Sequence, residues 1–398
     1  MRIGVSFAVA AAFWVLSFLV QKFNWGAGGK KALALLALLA AVPFLLRWAR
    51  RPLTLPRSRT ATGLAIVVAI LVALQLAYFG KEVRHPGLID VATTTLAAGT
   101  AMVAGENPYL LPLDSVAASN PATAAFAGYK YLPIMPLVYL PLGLPFGARG
   151  LLATNLLLQL GIVFLVARLA REAANGATGL LAATLYLAVP LAIQQVLAKG
   201  ATDLAAVLPL LAALWLVERN SWLCGLALGL SIAAKPLPGL LLLPCLLPPR
   251  AGGIWRYAAG IAVGLLPILP YALWSPAALF DNVVRFNALR LPDSTSWLAI
   301  VPAGAAPARI ALALLVIAVG AYVWRYPPAL AGRAGLGAMV TLAGVLASPS
   351  AHHNYQLWWL PFYCVLLARA IMAAARDLPR PGEARYGAPS QGERRTSL

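Results

Sequence analysis

Apolar runs of about 20 residues recur along the chain, each long enough to cross a hydrocarbon layer of about 30 Å as a helix. The clear ones fall at about residues 3–21, 32–49, 61–79, 149–170, 177–197, 203–218, 254–274, 306–325, 333–349 and 354–375. Lipid offers backbone amides no partner, so each run must satisfy its own hydrogen bonds. A β-barrel would show short alternating segments, which are absent from the sequence. The fold class is therefore all-α, a multi-pass bundle in the cell membrane. The opening stretch Met1–Val20 has no small-residue cleavage site before Lys22, so it reads as a first span rather than a signal peptide.

Charge follows the same logic. Only 11% of the 398 residues are charged, where a soluble domain carries about 25%. The net charge of +19 does not point to nucleic acid. The Lys and Arg residues sit singly or in small groups between apolar runs, as topology signals and contacts for membrane lipids. Cys224, Cys245 and Cys364 lie inside apolar runs, which predicts neither a disulfide framework nor a metal site.

Two stretches need a decision. Tyr131–Gly147 holds Pro133, Pro136, Pro141 and Pro145, a density that disfavours a regular spanning helix and predicts a broken segment at the outer surface. Trp222–Leu247 is interrupted by Lys235-Pro236. It is either one span with a central charge or a hairpin with Lys235 at its tip. The hairpin puts Arg250, Arg256, Arg325, Arg333, Arg369 and Arg376 on the cytoplasmic side and only Arg285, Arg290 and Arg309 outside; a single span inverts this. The positive-inside rule selects the hairpin. Lys235 then lies below the outer surface, in a cavity that water or substrate must fill.

The result is about 12 helices with both ends cytoplasmic. Residues 1–60 supply two spans and a basic loop, 61–375 form the main module with an outer loop at 80–148, and 376–398 form a polar tail. Seven of the twelve acids (Glu82, Asp90, Glu106, Asp114, Asp203, Asp281 and Asp293) and all three histidines face outward. A carrier would bury such groups at mid-membrane, so one-sided clustering suggests an enzyme with an outward catalytic face.

The order of short motifs resembles the GT-C superfamily of integral-membrane glycosyltransferases. The motifs are Asp90 in the first outer loop, then Gly105-Glu106-Asn107-Pro108-Tyr109, Tyr131-Leu132-Pro133, Gly200 to Asp203, Lys235-Pro236 and Ser350-Ala351-His352-His353-Asn354-Tyr355. More narrowly the set is similar to the polyprenyl-phosphate-mannose-dependent α-mannosyltransferases of the phosphatidylinositol mannoside pathway, the DUF2029 type. Thr93 and Thr94 stand where that family carries an aromatic, and Ser350-Ala351 where it often carries Trp-Asp. The resemblance covers about residues 61–375. It implies juxtamembrane helices on the outer side and inverting transfer of a hexose, expected to be mannose. The donor would be a polyprenyl-phosphate sugar and the acceptor a glycolipid or glycan, on the periplasmic or extracellular face.

Transfer needs a base for the acceptor hydroxyl and positive charge for the leaving phosphate. Asp90 is the candidate base; it also suits a helix N-cap. Lys235, Arg285 and Arg290 are candidate donor-phosphate contacts. His352 and His353 are candidates for bonding the phosphate or a sugar hydroxyl, or for assisting proton transfer. Glu106 is a candidate acceptor contact, and the resemblance adds Asn107, Tyr109, Tyr131 and Tyr355 on the acceptor or sugar. The bland alternatives are a solvated loop for Glu106 and Asp114, interface anchors for the arginines, and belt aromatics for Tyr355, Trp358 and Trp359. Lys130, Lys199 and Arg149 read as headgroup contacts, and Asp203 as a structural hydrogen-bonding group. No Asp-x-Asp pair occurs in the outer loop, and no metal or other cofactor is expected. Rival readings are a lipid-linked sugar transporter or flippase, and an O-antigen-type ligase or polymerase with a lipid-pyrophosphate donor.

Overall fold

The computed structural model describes residues 59–114, 126–189, 194–248, 253–290, 296, 298, 305–349 and 352–374. The expected spans at 3–21 and 32–49, the tail at 376–398, Asp293 and the side chain of His353 lie outside the described residues. The described chain is helical, and no strand occurs in it.

Helix α1 (Arg59–Glu82) runs to a loop before α2 (Asp90–Val103). Then come α3 (Ile134–Ala173), α4 (Gly176–Leu187), α5 (Leu204–Leu216) and α6 (Ser221–Ala234). Next are α7 (Pro236–Leu242), α8 (Ile254–Leu265), α9 (Leu269–Trp274), α10 (Pro276–Phe280) and α11 (Phe286–Leu289). The last three are α12 (Ala305–Arg325), α13 (Leu330–Leu346) and α14 (Leu360–Ala374). Among the described residues four stretches are long and apolar enough to cross a membrane: Thr60–Glu82, Ile134–Ala173, Ile254–Trp274 and Ala306–Arg325. Ile66, Ile70 and Leu74 on α1, and Ile310, Leu314 and Ile317 on α12, are exposed at helical spacing. Such stripes suit lipid contact. Helix α14 is buried along most of its length, at the centre of the bundle.

The Lys235 hairpin is observed. Lys235 is extended (φ −143°, ψ 110°) between α6 and α7, and α7 folds back on α6, with a Cβ added at Gly239 falling 2.5 Å from Ile232 Cγ1. At the base, Cys224 Sγ lies 4.0 Å from the Leu246 carbonyl. Each arm is short: the 14 residues of α6 rise only about 21 Å.

The proline-rich run 131–147 departs from expectation. It is helical from Ile134 up to Gly147, not broken. Pro136 falls in the first turn, where an amide would lack an intrahelical acceptor anyway. Pro141 and Pro145 are interior, and each removes a helix hydrogen bond. Packing on α2 offsets that loss: Leu140 and Pro136 close on Gly99, and Leu96 closes on Gly143. At Gly147 the backbone turns through φ +55°, ψ −130°, a region open to glycine, and the chain doubles back. A Cβ at Gly150 would stand 1.8 Å from the Leu142 carbonyl oxygen.

The run 177–197 is also not one helix. It is helical over Gly176–Leu187 and closes with a π-helical turn at Gln194–Ala198. The span at 254–274 is jointed by a 3-10 turn, Leu266–Ile268, with Pro267 in the turn and Pro270 in the first turn of α9.

Helices α6 and α8 pack backbone against backbone. Gly225 and Gly229 on one face Gly260 and Gly264 on the other. A Cβ at Gly225 would lie 2.0 Å from the Tyr257 carbonyl oxygen, and one at Gly260 would lie 2.1 Å from that of Trp222. Small residues four apart on both helices let the backbones touch, the association available where lipid supplies no hydrophobic drive.

Candidate active site

Asp203 and Lys235 form the centre of the polar end of the bundle. Asp203 is fully buried. Its Oδ1 accepts from Lys235 Nζ and from Trp358 Nε1, both at 2.6 Å, and its Oδ2 accepts from Asn354 Nδ2 at 2.6 Å. A buried carboxylate is tolerated when its lone pairs are met in this way. The turn presenting it is built locally. Gly200 adopts φ +70°, and a Cβ there would lie 2.6 Å from Leu88 Cδ2. Asn155 Nδ2 donates to the carbonyls of Val196 (2.9 Å) and Ala201 (3.1 Å), while Tyr139 Oη donates to Asn155 Oδ1 at 2.6 Å.

The Lys235 ammonium is thus not the isolated charge that the sequence suggested. It is paired with Asp203, and it lies 5.1, 4.8 and 5.1 Å from the ring centroids of Tyr131, Tyr355 and Trp358. Ring faces attract the cation, so carboxylate and aromatics together compensate its lost hydration. Tyr131 and Tyr355 remain half-buried and form the open wall of this recess. Trp358 and Trp359 are buried and are not belt aromatics: each indole N–H needs an acceptor, Asp203 for Trp358 and Gln356 Oε1 (2.7 Å) for Trp359.

Asp90 stands exposed beside this recess. The Ile89 amide donates to the Lys199 carbonyl at 2.9 Å, tying the start of α2 to the turn that carries Asp203. The N-cap position expected for Asp90 falls to Ile89. Asp90 opens the helix, and its Oδ1 accepts from the Val91 amide at 2.8 Å. The Tyr131 phenol feels the charge of both acids. Burial raises its pKa well above the ordinary value, and Tyr355, Asp203, Tyr129 and Asp90 push in the same direction.

His352 completes the rim. Its Nε2 is 3.2 Å from Arg290 Nη2, and its ring meets Tyr355 edge-on at 5.7 Å. A guanidinium only donates, so Nε2 accepts in this geometry. Tyr355 stacks on Trp358 at 4.4 Å, which links His352 to the Asp203 cluster.

Other expected residues lie elsewhere. Glu106 is exposed beyond the far end of α2, a helix of 14 residues and about 21 Å, so it does not share a cleft with Asp90. Asn107 and Tyr109 are buried beneath the recess. Asn107 Oδ1 accepts from the Tyr109 amide at 3.0 Å, and Tyr109 Oη donates to the Tyr131 carbonyl at 2.8 Å, so these two hold Tyr131 in place. Arg285 is exposed, 3.4 Å from Asp281 and 5.8 Å from the Phe126 ring. Lys130 is turned inward and is not a headgroup contact. It donates to the Gly128 carbonyl (2.9 Å) and to Asn282 Oδ1 (3.1 Å), pinning the segment before α3 to the short helices after α9. Burial pushes its pKa down to about 8, partly opposed by Asp114 at 3.9 Å. Sequence reasoning gave Asn354 and Trp358 no part in this cluster; Asn354 was visible only as a member of the late histidine motif.

The fold is similar to that of ArnT. The structure of ArnT from Cupriavidus metallidurans bound to undecaprenyl phosphate matches with a TM-score of 0.50 and 18% identity, over 76% of this chain and 59% of that chain. The apo structure of ArnT matches at 0.52 and 19%, over 78% and 60%. At these identities the likeness is one of fold, an all-helical membrane bundle. The chain spans about three fifths of the length of ArnT. No family model matches the sequence, and no curated protein matches it.

Proposed function

We propose that the protein is a membrane glycosyltransferase that moves a hexose from a polyprenyl-phosphate donor to a glycolipid or glycan acceptor. The observation that carries this reading is the meeting of Asp90, Tyr131, Lys235, Tyr355 and His352 with Arg290 at one end of the bundle, although they are far apart in sequence. A fold like that of ArnT, one structure of which holds undecaprenyl phosphate, supports it. The motif resemblance adds mannose as the sugar and inversion as the outcome, and the distribution of arginines adds a periplasmic or extracellular catalytic face.

In this reading the acceptor hydroxyl attacks the anomeric carbon while Asp90 takes its proton. The bond from that carbon to the phosphate oxygen breaks, and the electron pair leaves with the lipid phosphate. Arg290 and Lys235 are the nearest cations to receive the growing charge. One N–H of Lys235 is engaged by Asp203, which aims the rest towards the recess. Tyr131 and Tyr355 offer ring faces to the sugar. Arg285 fits an outer-loop contact with the lipid better than a place at the leaving oxygen.

The test is transfer by purified protein from radiolabelled polyprenyl-phosphate mannose to membrane glycolipids, with a polyprenyl-pyrophosphate sugar in parallel. Product from the monophosphate donor alone, lost in Asp90→Asn, supports the proposal. Product from the pyrophosphate donor alone, or lipid movement without transfer, overturns it.

A further inference from the structure

A cavity of about 820 Å³ lies at the end of the bundle opposite Asp90. Three helices begin on it: α6 after Asn220, α8 after Gly253 and α13 after Ala329. The first amides of a helix lack intrahelical acceptors and carry the positive end of its dipole, so all three starts favour an anion. Helix starts alone would not define a site.

Arg333 supplies the second observation. It lines the cavity and is 1% exposed. Its Nε donates to the Pro328 carbonyl (3.1 Å), and its Nη1 to the carbonyls of Cys245 (2.8 Å) and Leu247 (2.9 Å). Its Nη2 has no hydrogen-bond partner. Every acceptor it has is a neutral carbonyl, and among the described residues no carboxylate forms an ion pair with it; Glu218, an exposed acid that also lines the cavity, acts on it only through space. A buried charge with an idle donor is expensive to maintain unless something fills the place. Arg256 also lines the cavity and is exposed, whereas Arg219 on the rim is already paired with Glu172.

The depth of the cavity narrows the ligand. Trp222, Trp255, Trp324 and Tyr326 are exposed and lie next to or near lining residues in sequence. Such a collar of amphipathic rings marks the level of lipid headgroups. We propose that this cavity binds a phosphate group, with Arg333 Nη2 and Arg256 on its oxygens and the three helix starts behind it, and that an anionic lipid headgroup presents it. This site does not depend on the transfer chemistry at the other end.

The experiment is native mass spectrometry of the full chain in detergent, offered phosphatidic acid or phosphatidylcholine, with inorganic phosphate as a separate thermal-shift and competition arm. Phosphatidic acid should stay bound in preference to phosphatidylcholine, and Arg256→Gln should cut the bound fraction about tenfold, as loss of one charged contact does. Arg333→Gln is informative only if it folds, because Arg333 also holds three backbone carbonyls; Arg256→Gln, and Ser221→Ala at the cavity-lining first residue of α6, avoid that problem. Retention without displacement by inorganic phosphate assigns the lipid source. Displacement, with a thermal shift lost in Arg256→Gln, assigns the same site to free phosphate. Equal phosphatidic acid on wild type and both variants, with no phosphate shift, overturns the proposal.

Discussion

Lys235 Nζ lies 2.6 Å from Asp203 Oδ1, and both side chains are buried. The pair is separated by 32 positions in the chain, and it joins the hairpin tip to the start of α5. Trp358 and Asn354, both on the turn His353–Trp358, share the same carboxylate, so three side chains depend on one acid. Such a pair need not stabilise the fold relative to an apolar substitute, but breaking it leaves a buried charge uncompensated.

Asp203→Asn should therefore destabilise the protein by about 3–5 kcal/mol, and Lys235→Met by less. A methionine leaves only the carboxylate short of one donor, while Trp358 and Asn354 still serve it. The double variant Asp203→Asn/Lys235→Met should be more stable than Asp203→Asn alone. Thermal unfolding in detergent measures all three. A double variant less stable than the Asp203→Asn single would reject charge compensation as the role of Lys235.

Asp90→Asn should behave in the opposite way. The carboxylate is exposed, and among the described residues its short contact is the amide of Val91, which the Asn carbonyl can replace. Unfolding should shift by less than about 0.5 kcal/mol. Turnover in the transfer assay should fall about 10²–10⁴-fold, the usual contribution of a general base. The split between intact folding and lost turnover distinguishes a base from a cap.

The all-α class, the hairpin at Lys235 and the gathering of Asp90, Tyr131, Lys235, Tyr355 and His352 at one end of the bundle were legible in the sequence. Length of apolar runs and the Lys235-Pro236 break decide where helices end, and helix ends bring separate motifs to one end of the bundle. What stayed hidden depends on distances across the bundle. Asp203 stands 151 positions from Asn354 and 155 from Trp358, and nothing local marks them as partners. Glu106 looked like a companion of Asp90 because the two share a short stretch, yet a straight helix holds them apart. The prolines of 131–147 argued against helix on propensity, and packing on α2 overrode it. Gly225, Gly229, Gly260 and Gly264 carried a readable four-residue spacing, lost among the 33 glycines of the chain.

Lys130 predicts a pH dependence. Its pKa falls from 10.5 to about 8 on folding, chiefly through burial. Between those values the unfolded chain binds the proton more tightly, so unfolding becomes harder as pH rises from about 8 to about 10.5. Wild type should gain stability relative to Lys130→Met across that window and show a constant difference below pH 7. Paired unfolding curves from pH 7 to 10.5 measure it; a difference that shrinks with rising pH would show that the ammonium is stabilised by Asp114 and Asn282 more than it is penalised by burial.

The glycine contact between α6 and α8 predicts how the hairpin arm is anchored. Valine at Gly225 or Gly260 would place a Cβ about 2 Å from a backbone oxygen of the facing helix, and neither backbone can yield locally. The helices must separate, and the packing that stands in for a hydrophobic drive in lipid goes with them. Gly225→Val and Gly260→Val should each lower the unfolding temperature clearly. Gly63→Ala, on the lipid-facing α1 with nothing within 4 Å, should be neutral or stabilising by up to about 1 kcal/mol, because alanine is the better helix former. Helix α6 ends at Lys235, so separation should also reach the recess: transfer should fall in Gly225→Val even where the protein still folds, and should be unchanged in Gly63→Ala. If Gly225→Val unfolds at the wild-type temperature with full turnover, the α6–α8 contact does not anchor the arm that carries Lys235.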